Sequence, residues 1–139
     1  MKLQVLDMRL IRYLNLFEKI TGVRTKNCFF YNNGIIYAVP KQFVSKAIGE
    51  GGNNVRKMVS ITKKKIKIVI IPDDQIKTEN FIQDIVAPAT FNNLEVTEKE
   101  LIIFANKQSK AALIGRNKTR LIELSKIVEE FFGKELKIV

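Results

Sequence analysis

Apolar residues at Leu10, Leu14, Phe17 and Ile20 fall three or four positions apart, which predicts a helix, and Gly22 marks its end. The period then changes. Two apolar runs, 28–31 and 35–39, flank Asn32-Asn33-Gly34, a tight-turn signature that predicts a β-hairpin. A short helical pattern follows over 41–48, then the turn Gly49-Glu50-Gly51-Gly52, then a second helix over about 53–62. A β-rich run at 66–71 completes the series. The order is helix, hairpin, helix–turn–helix, strand.

The same order returns 66 positions later. Gly34-Ile35-Ile36-Tyr37-Ala38-Val39 falls on Glu100-Leu101-Ile102-Ile103-Phe104-Ala105, and Ala47-Ile48-Gly49 falls on Leu113-Ile114-Gly115. After the second helix the offset becomes 70, so that Ile66-Lys67-Ile68-Val69 matches Leu136-Lys137-Ile138-Val139. Four extra residues make about one helical turn, which a helix absorbs without losing its buried face. The second series begins with a less regular stripe (Ile76, Phe81, Ile82, Ile85, Val86) stopped by Pro88. It continues with a hairpin of 94–97 and 100–105 about Glu98-Lys99, helices over 107–114 and 119–132, and a strand at 136–139. The pattern therefore predicts an α+β chain of two units, 1–72 and 73–139, each with three helices and three strands.

Charge separates the units. Residues 1–72 carry 14 Lys and Arg against 3 Asp and Glu, a balance of +11, while 73–139 carry 10 against 11. The net charge of +10 thus belongs to the first unit, and a strongly basic half points to a polyanionic partner. In the second, Glu95, Glu98, Glu100, Glu129 and Glu130 make a poor polyanion ligand, which suits a protein contact better.

Composition also excludes chemistry. There is no histidine, and Cys28 is the only cysteine, so an intramolecular disulfide, the usual zinc spacings and a Cys–His or Ser–His nucleophile pair are all ruled out. Cys28 lies in an apolar run and reads as a small buried hydrophobe. Asp73-Asp74, after Pro72, reads as helix capping rather than a catalytic carboxylate pair. No enzyme activity, metal or cofactor is expected. The N-terminus lacks a leader's apolar core, and 68–71 is too short to span a bilayer. A soluble, cytoplasmic monomer with no membrane association is the expectation.

The turns carry the candidate chemistry. Gly49 and Gly52 bracket the first, and glycines there remove side chains that would hold a phosphate chain away. The turn also opens a helix, whose N-terminal N–H groups and dipole favour anions. The second turn, Gly115-Arg116-Asn117-Lys118, has lost its closing glycine. Lys118 is expected to narrow the approach, leaving an auxiliary surface of Gly115, Arg116, Asn117, Lys118 and Arg120.

Ile-Gly-x-x-Gly between paired helices, with a strand after them, resembles the KH RNA-binding domain in its prokaryotic (type II) form, which implies for each unit a three-stranded sheet with helices on one face. Further features point the same way: Ala47 to Val55, Phe81-Ile82 in the helix after Asp73-Asp74, and Ala87-Pro88-Ala89 before the second hairpin. With these, nearly the whole chain resembles the archaeal NusA-like transcription termination factors, which consist of two such units. The resemblance implies that Gly49, Glu50, Gly51 and Gly52 clamp single-stranded RNA beside an apolar groove. Groove candidates are Ile48 and Val55, and phosphate partners are Lys41, Lys46, Arg56 and Lys57. Glu50 fits least well, because a carboxylate repels phosphate. The implied role is transcription termination or antitermination alongside RNA polymerase. Two alternatives stay open: a helix–turn–helix DNA binder with 53–62 in a major groove, and a ribosome-assembly or translation-associated KH protein.

Overall fold

A computed structural model of the chain describes residues 8–73 and 75–139, apart from the side chains of 75 and 76. The N-terminal run 1–7, the expected capping residue Asp74 and the side chain of the stripe position Ile76 lie outside what is described. The chain divides into two compact units, one ending at Ile71 and the other beginning at Pro72. The first contains α1 (Met8–Thr21), β1 (Asn27–Tyr31), β2 (Gly34–Val39), α2 (Val44–Ile48), α3 (Asn53–Thr62) and β3 (Lys65–Ile70). The second contains α4 (Gln75–Val86), β4 (Asn93–Val96), β5 (Glu100–Phe104), α5 (Lys107–Ile114), α6 (Thr119–Phe132) and β6 (Glu135–Ile138). The fold is α+β, with two three-stranded sheets of order β1-β2-β3 and β4-β5-β6.

In each sheet the hairpin is antiparallel and the last strand is parallel to the middle one. A parallel neighbour requires a crossover, and the helix pair with its turn supplies it. Asn32 and Asn33 make the first hairpin turn at φ 51° and 59°, the left-handed pair that matches strand twist. Gly34 follows because a Cβ there would lie 3.0 Å from the Lys65 carbonyl oxygen.

Register puts the unit 1 core on one sheet face. Cys28 pairs with Tyr37 and Phe30 with Ile35, while Ile66 and Ile68 stand opposite Ile35 and Tyr37. These residues and Val39 form one cluster with Phe17 of α1, Ala47 of α2 and Met58 of α3. All three α-helices among the unit's described residues thus contribute to that face. Phe17 stacks on Tyr37 at 4.2 Å, and the Tyr37 hydroxyl donates to the Tyr13 carbonyl oxygen at 2.9 Å. Burial pushes the Tyr37 phenol well above its ordinary pKa, so it remains a donor. In unit 2, Leu94, Leu101, Ile103 and Leu136 make the matching buried face. Phe81 packs against Phe131 and Phe132 at 5.0 and 5.8 Å.

One element differs from its sequence pattern. The helix expected over 41–48 is a 3-10 turn, Lys41–Phe43, followed by α2 from Val44, with no side chain capping either start. Its counterpart α5 is continuous because Asn106 caps it, accepting from the Ser109 N–H at 2.8 Å.

Phe17 has no exposed surface, so Phe17→Ala is expected to cost about 3–5 kcal/mol in urea unfolding. Met8→Ala, at an exposed position, should stay within about 0.5 kcal/mol of the parent.

Candidate functional site

The turn between α2 and α3 is a left-handed device. Gly49 ends α2 at φ 81°, ψ 165°, and its N–H donates to the Ser45 carbonyl oxygen at 3.0 Å. Glu50–Gly52 then makes one 3-10 turn, with Gly51 at φ 59°, ψ 23° and Gly52 at φ 76°, ψ 18°. The Gly52 N–H closes it on the Gly49 carbonyl oxygen at 3.1 Å. In unit 2, Gly115 lies at φ 74°, ψ 173°, Asn117 at φ 57°, ψ 27°, and Lys118 at φ 59°, ψ 21°. The Lys118 N–H closes on Gly115 at 3.2 Å. The two turns follow the same backbone path.

The glycines in it have different reasons. A Cβ on Gly49 would sit 2.8 Å from Asn54 Cγ and 2.9 Å from its backbone nitrogen. On Gly115 it would sit 2.9 Å from Arg120 Cγ. These first glycines are demanded by internal packing. Around Gly51, by contrast, nothing lies within 4 Å of such an atom, and Gly52 meets only Arg56 Nη1 at 3.4 Å. Their reason is the positive φ, and their outer side is open.

Lys118 leaves the backbone path of the turn unchanged. It takes the left-handed conformation that Gly52 takes, at a cost of about 1 kcal/mol relative to glycine, and its side chain is exposed. Asn117 bears the same conformation at lower cost, since its short amide tolerates that region.

Each turn is braced by a side chain reaching back eight residues. Asn54 Nδ2 donates to the Lys46 carbonyl oxygen at 3.1 Å. Arg120 Nη1 donates to the Ala112 carbonyl oxygen at 3.3 Å. Asn54 stands level with Arg120 in the repeat, and that register is the signal in the sequence that marks it. Arg120 is thus a strut, although one hydrogen bond leaves other guanidinium donors available.

The remaining candidates are placed unevenly. The Arg56 guanidinium donates to the Gly51 carbonyl oxygen, so it lies directly on the turn. Lys57 is exposed next to it on α3, and Ile48 and Val55 are half-buried at the facing helix ends. The Lys46 side chain runs instead to the end of α1, with its Nζ 3.6 Å from where a Cβ on Gly22 would stand. Lys41 belongs to the 3-10 turn at the opposite end of α2, about 10 Å away by helical rise. Glu50 is exposed. In unit 2, Gly115 is half-buried, while Arg116, Asn117 and Lys118 are exposed.

Neither α3 nor α6 has a side-chain cap at its start, so the positive helix end behind each turn is not occupied by a side-chain acceptor. Cys28 is buried, and burial pushes its thiol up to about 12. At neutral pH it is protonated, which makes it a packing residue rather than a nucleophile. Asp73 pairs with Lys77 at 2.9 Å, and that partner holds its carboxyl below the ordinary value. Among the described residues no helix is long and apolar enough to cross a membrane.

Two α+β units with a braced left-handed turn between helices are consistent with a pair of small KH-like units. No family model matches the chain. Three curated archaeal proteins are similar to it, and each bears the name probable transcription termination protein NusA. That of Methanocaldococcus jannaschii is 29% identical over 123 residues, covering 86% of this chain and 66% of that protein. That of Methanococcus vannielii is 26% identical over 134 residues, covering 93% and 76%. That of Halococcus morrhuae is 27% identical over 88 residues, covering 63% and 61%. The chain therefore spans less than two thirds of the first and third of these relatives. The crystal structure of APE1850 superposes with a TM-score of 0.66 at 23% identity, covering 96% of this chain and 99% of that one, which shows the fold.

The packing predicts an order of costs in the turns. Gly49→Ala should destabilise more than Gly51→Ala, since only the former drives a Cβ against Asn54. Lys118→Gly should stabilise by about 0.5–1 kcal/mol in chemical denaturation. A reversed glycine order, or a destabilised Lys118→Gly, would contradict the assignment.

Proposed function

We propose that the chain is a tandem pair of type II KH units, 1–72 and 73–139, that binds single-stranded RNA chiefly through the first and acts in transcription termination or antitermination with RNA polymerase. The observation that carries the RNA reading is the open outer side of Gly51 and Gly52 at the uncapped start of α3. A phosphate chain approaches such a backbone without meeting a Cβ, and the helix end favours its charge. Arg56 and Lys57 stand beside the turn, within about one Debye length of roughly 8–10 Å, and outnumber the single carboxylate of Glu50 there. The half-buried Ile48 and Val55 offer apolar surface for bases.

Unit 2 offers a weaker surface of the same shape. Arg116 and Lys118 are exposed, whereas Arg120 already supports the turn. The transcriptional role rests on the names of the relatives. A non-enzymatic protein agrees with the shielded Cys28 and the absence of histidine. The DNA-binding alternative is disfavoured by α2, only five residues long, and by α3 leading directly into a sheet strand.

Replacing Gly51 and Gly52 together by Asp is expected to abolish binding of a single-stranded RNA while circular dichroism stays unchanged. Asp tolerates the left-handed region, and both positions face outward. A folded double variant with parental affinity would end the clamp assignment. Duplex DNA displacing the RNA more effectively than unlabelled RNA would instead favour the helix–turn–helix reading.

A further inference from the structure

The far end of α3 carries three consecutive lysines, Lys63, Lys64 and Lys65, that the site described above does not use. All three are exposed, and none has an ion-pair partner among the described residues. Lys63 closes α3 in the left-handed conformation (φ 61°), with its N–H on the Val59 carbonyl oxygen at 2.8 Å. Lys65 begins β3 beside Gly34, at the end of the sheet where the Asn32-Asn33 turn lies.

Unit 2 supplies an internal control. Its corresponding cap is Gly133 (φ 65°), with its N–H on the Glu129 carbonyl oxygen at 2.9 Å. The shared geometry aligns Lys63, Lys64, Lys65 and Lys67 with Gly133, Lys134, Glu135 and Lys137. There the cations have internal work. Lys134 Nζ donates to the Thr97 and Glu98 carbonyl oxygens at 2.6 and 2.9 Å, tying down the hairpin turn. Lys137 pairs with Glu100 at 2.6 Å, a bond that raises its pKa. Unit 1 places a lysine where unit 2 has the glycine that the conformation prefers, and another where unit 2 has a glutamate. Among the described residues no side-chain hydrogen bond or ion pair joins its triplet to the hairpin, although the Lys65 backbone pairs with Gly34.

We propose that Lys63, Lys64 and Lys65 form a second phosphate-contact patch, engaged by RNA long enough to run from the turn at 49–52 along α3. This rests on the reading that unit 1 holds single-stranded RNA at its glycine turn. The helix between them has ten residues, about 15 Å of rise. That exceeds a Debye length at physiological salt, so the triplet adds little at the turn and must be reached by the RNA itself. Arg56 and Lys57 mark the beginning of this path.

The test measures affinity of the full chain for a tetranucleotide and a dodecanucleotide of the same composition. The variants are the triple Lys→Gln change at 63–65, the triple Lys→Arg change, and Gly51→Asp with Gly52→Asp. The Gln triple should bind the tetranucleotide within about twofold of the parent, since a KH loop spans about four nucleotides. It should bind the dodecanucleotide at least about tenfold more weakly near 0.1 M salt, with a log–log salt slope shallower by about 2. The Arg triple should retain both affinities, and the loop variant should lose both. An unchanged dodecanucleotide affinity and slope in the Gln triple would overturn the patch. Equal weakening of both lengths would also overturn it, as diffuse charge rather than contact. Parent protein that binds neither RNA would overturn the loop reading itself, a result distinct from either.

Discussion

Everything proposed for this protein depends on how each crossover turns between its two helices. The last strand is parallel to the middle one, so the chain must travel back along the sheet through α2 and α3, or through α5 and α6. The reversal is made in four residues, two of them left-handed. A side chain from the second helix holds the ends together by bonding a carbonyl near the end of the first. That side chain occupies the space beside the first glycine, so the brace and the missing Cβ are parts of one contact. Once the turn is fixed from inside, Gly51 and Gly52 leave its outer side without a Cβ in unit 1, with Arg56 beside it on the Gly51 carbonyl oxygen. A backbone open to solvent at a helix start is therefore a by-product of the crossover, and it is also the feature suited to phosphate.

The units use this common frame differently. In unit 2 much of the positive charge is spent on structure: Arg120 braces the turn, Lys134 secures the hairpin and Lys137 answers Glu100. In unit 1 the brace is the uncharged Asn54, and the exposed lysines of α3 and the turn after it make no ion pair among the described residues. The difference lies where the crossover helix meets the last strand: Lys134 and Lys137 are committed in unit 2, whereas Lys63, Lys64 and Lys65 make no ion pair among the described residues of unit 1. Lys118 keeps the turn's shape but at a conformational cost that Gly52 avoids.

Much of the fold was legible because periodicity reports burial directly. The stripe from Leu10 to Ile20, the Asn32-Asn33 turn and the repeat at 66 positions located α1, the first hairpin and both crossovers to within a residue or two, except for the start of α2. Local patterns failed where the outcome depended on capping or on distant groups. The 41–48 segment looks like α5 in periodicity, yet it lacks the side-chain cap that Asn106 gives α5. In the site, the glycine pattern pointed to the turn but could not separate Gly49, fixed by packing, from Gly51 and Gly52, fixed by torsion. Proximity along the chain nominated Lys46 for the site, while its side chain runs to α1. Lysine is a poor residue for a left-handed position, so the repeat, and no local signal, indicated that the turn persists at Lys118.

The central claim is that the open turn of unit 1 receives the RNA. An amide chemical-shift titration of the full chain with a short single-stranded RNA tests it most directly, because every backbone N–H reports separately. The account predicts that the first and largest shifts fall on residues 49–57, with smaller ones at 115–119. Shifts concentrated in unit 2, or on the outer face of α3 with 49–52 unmoved, would contradict it.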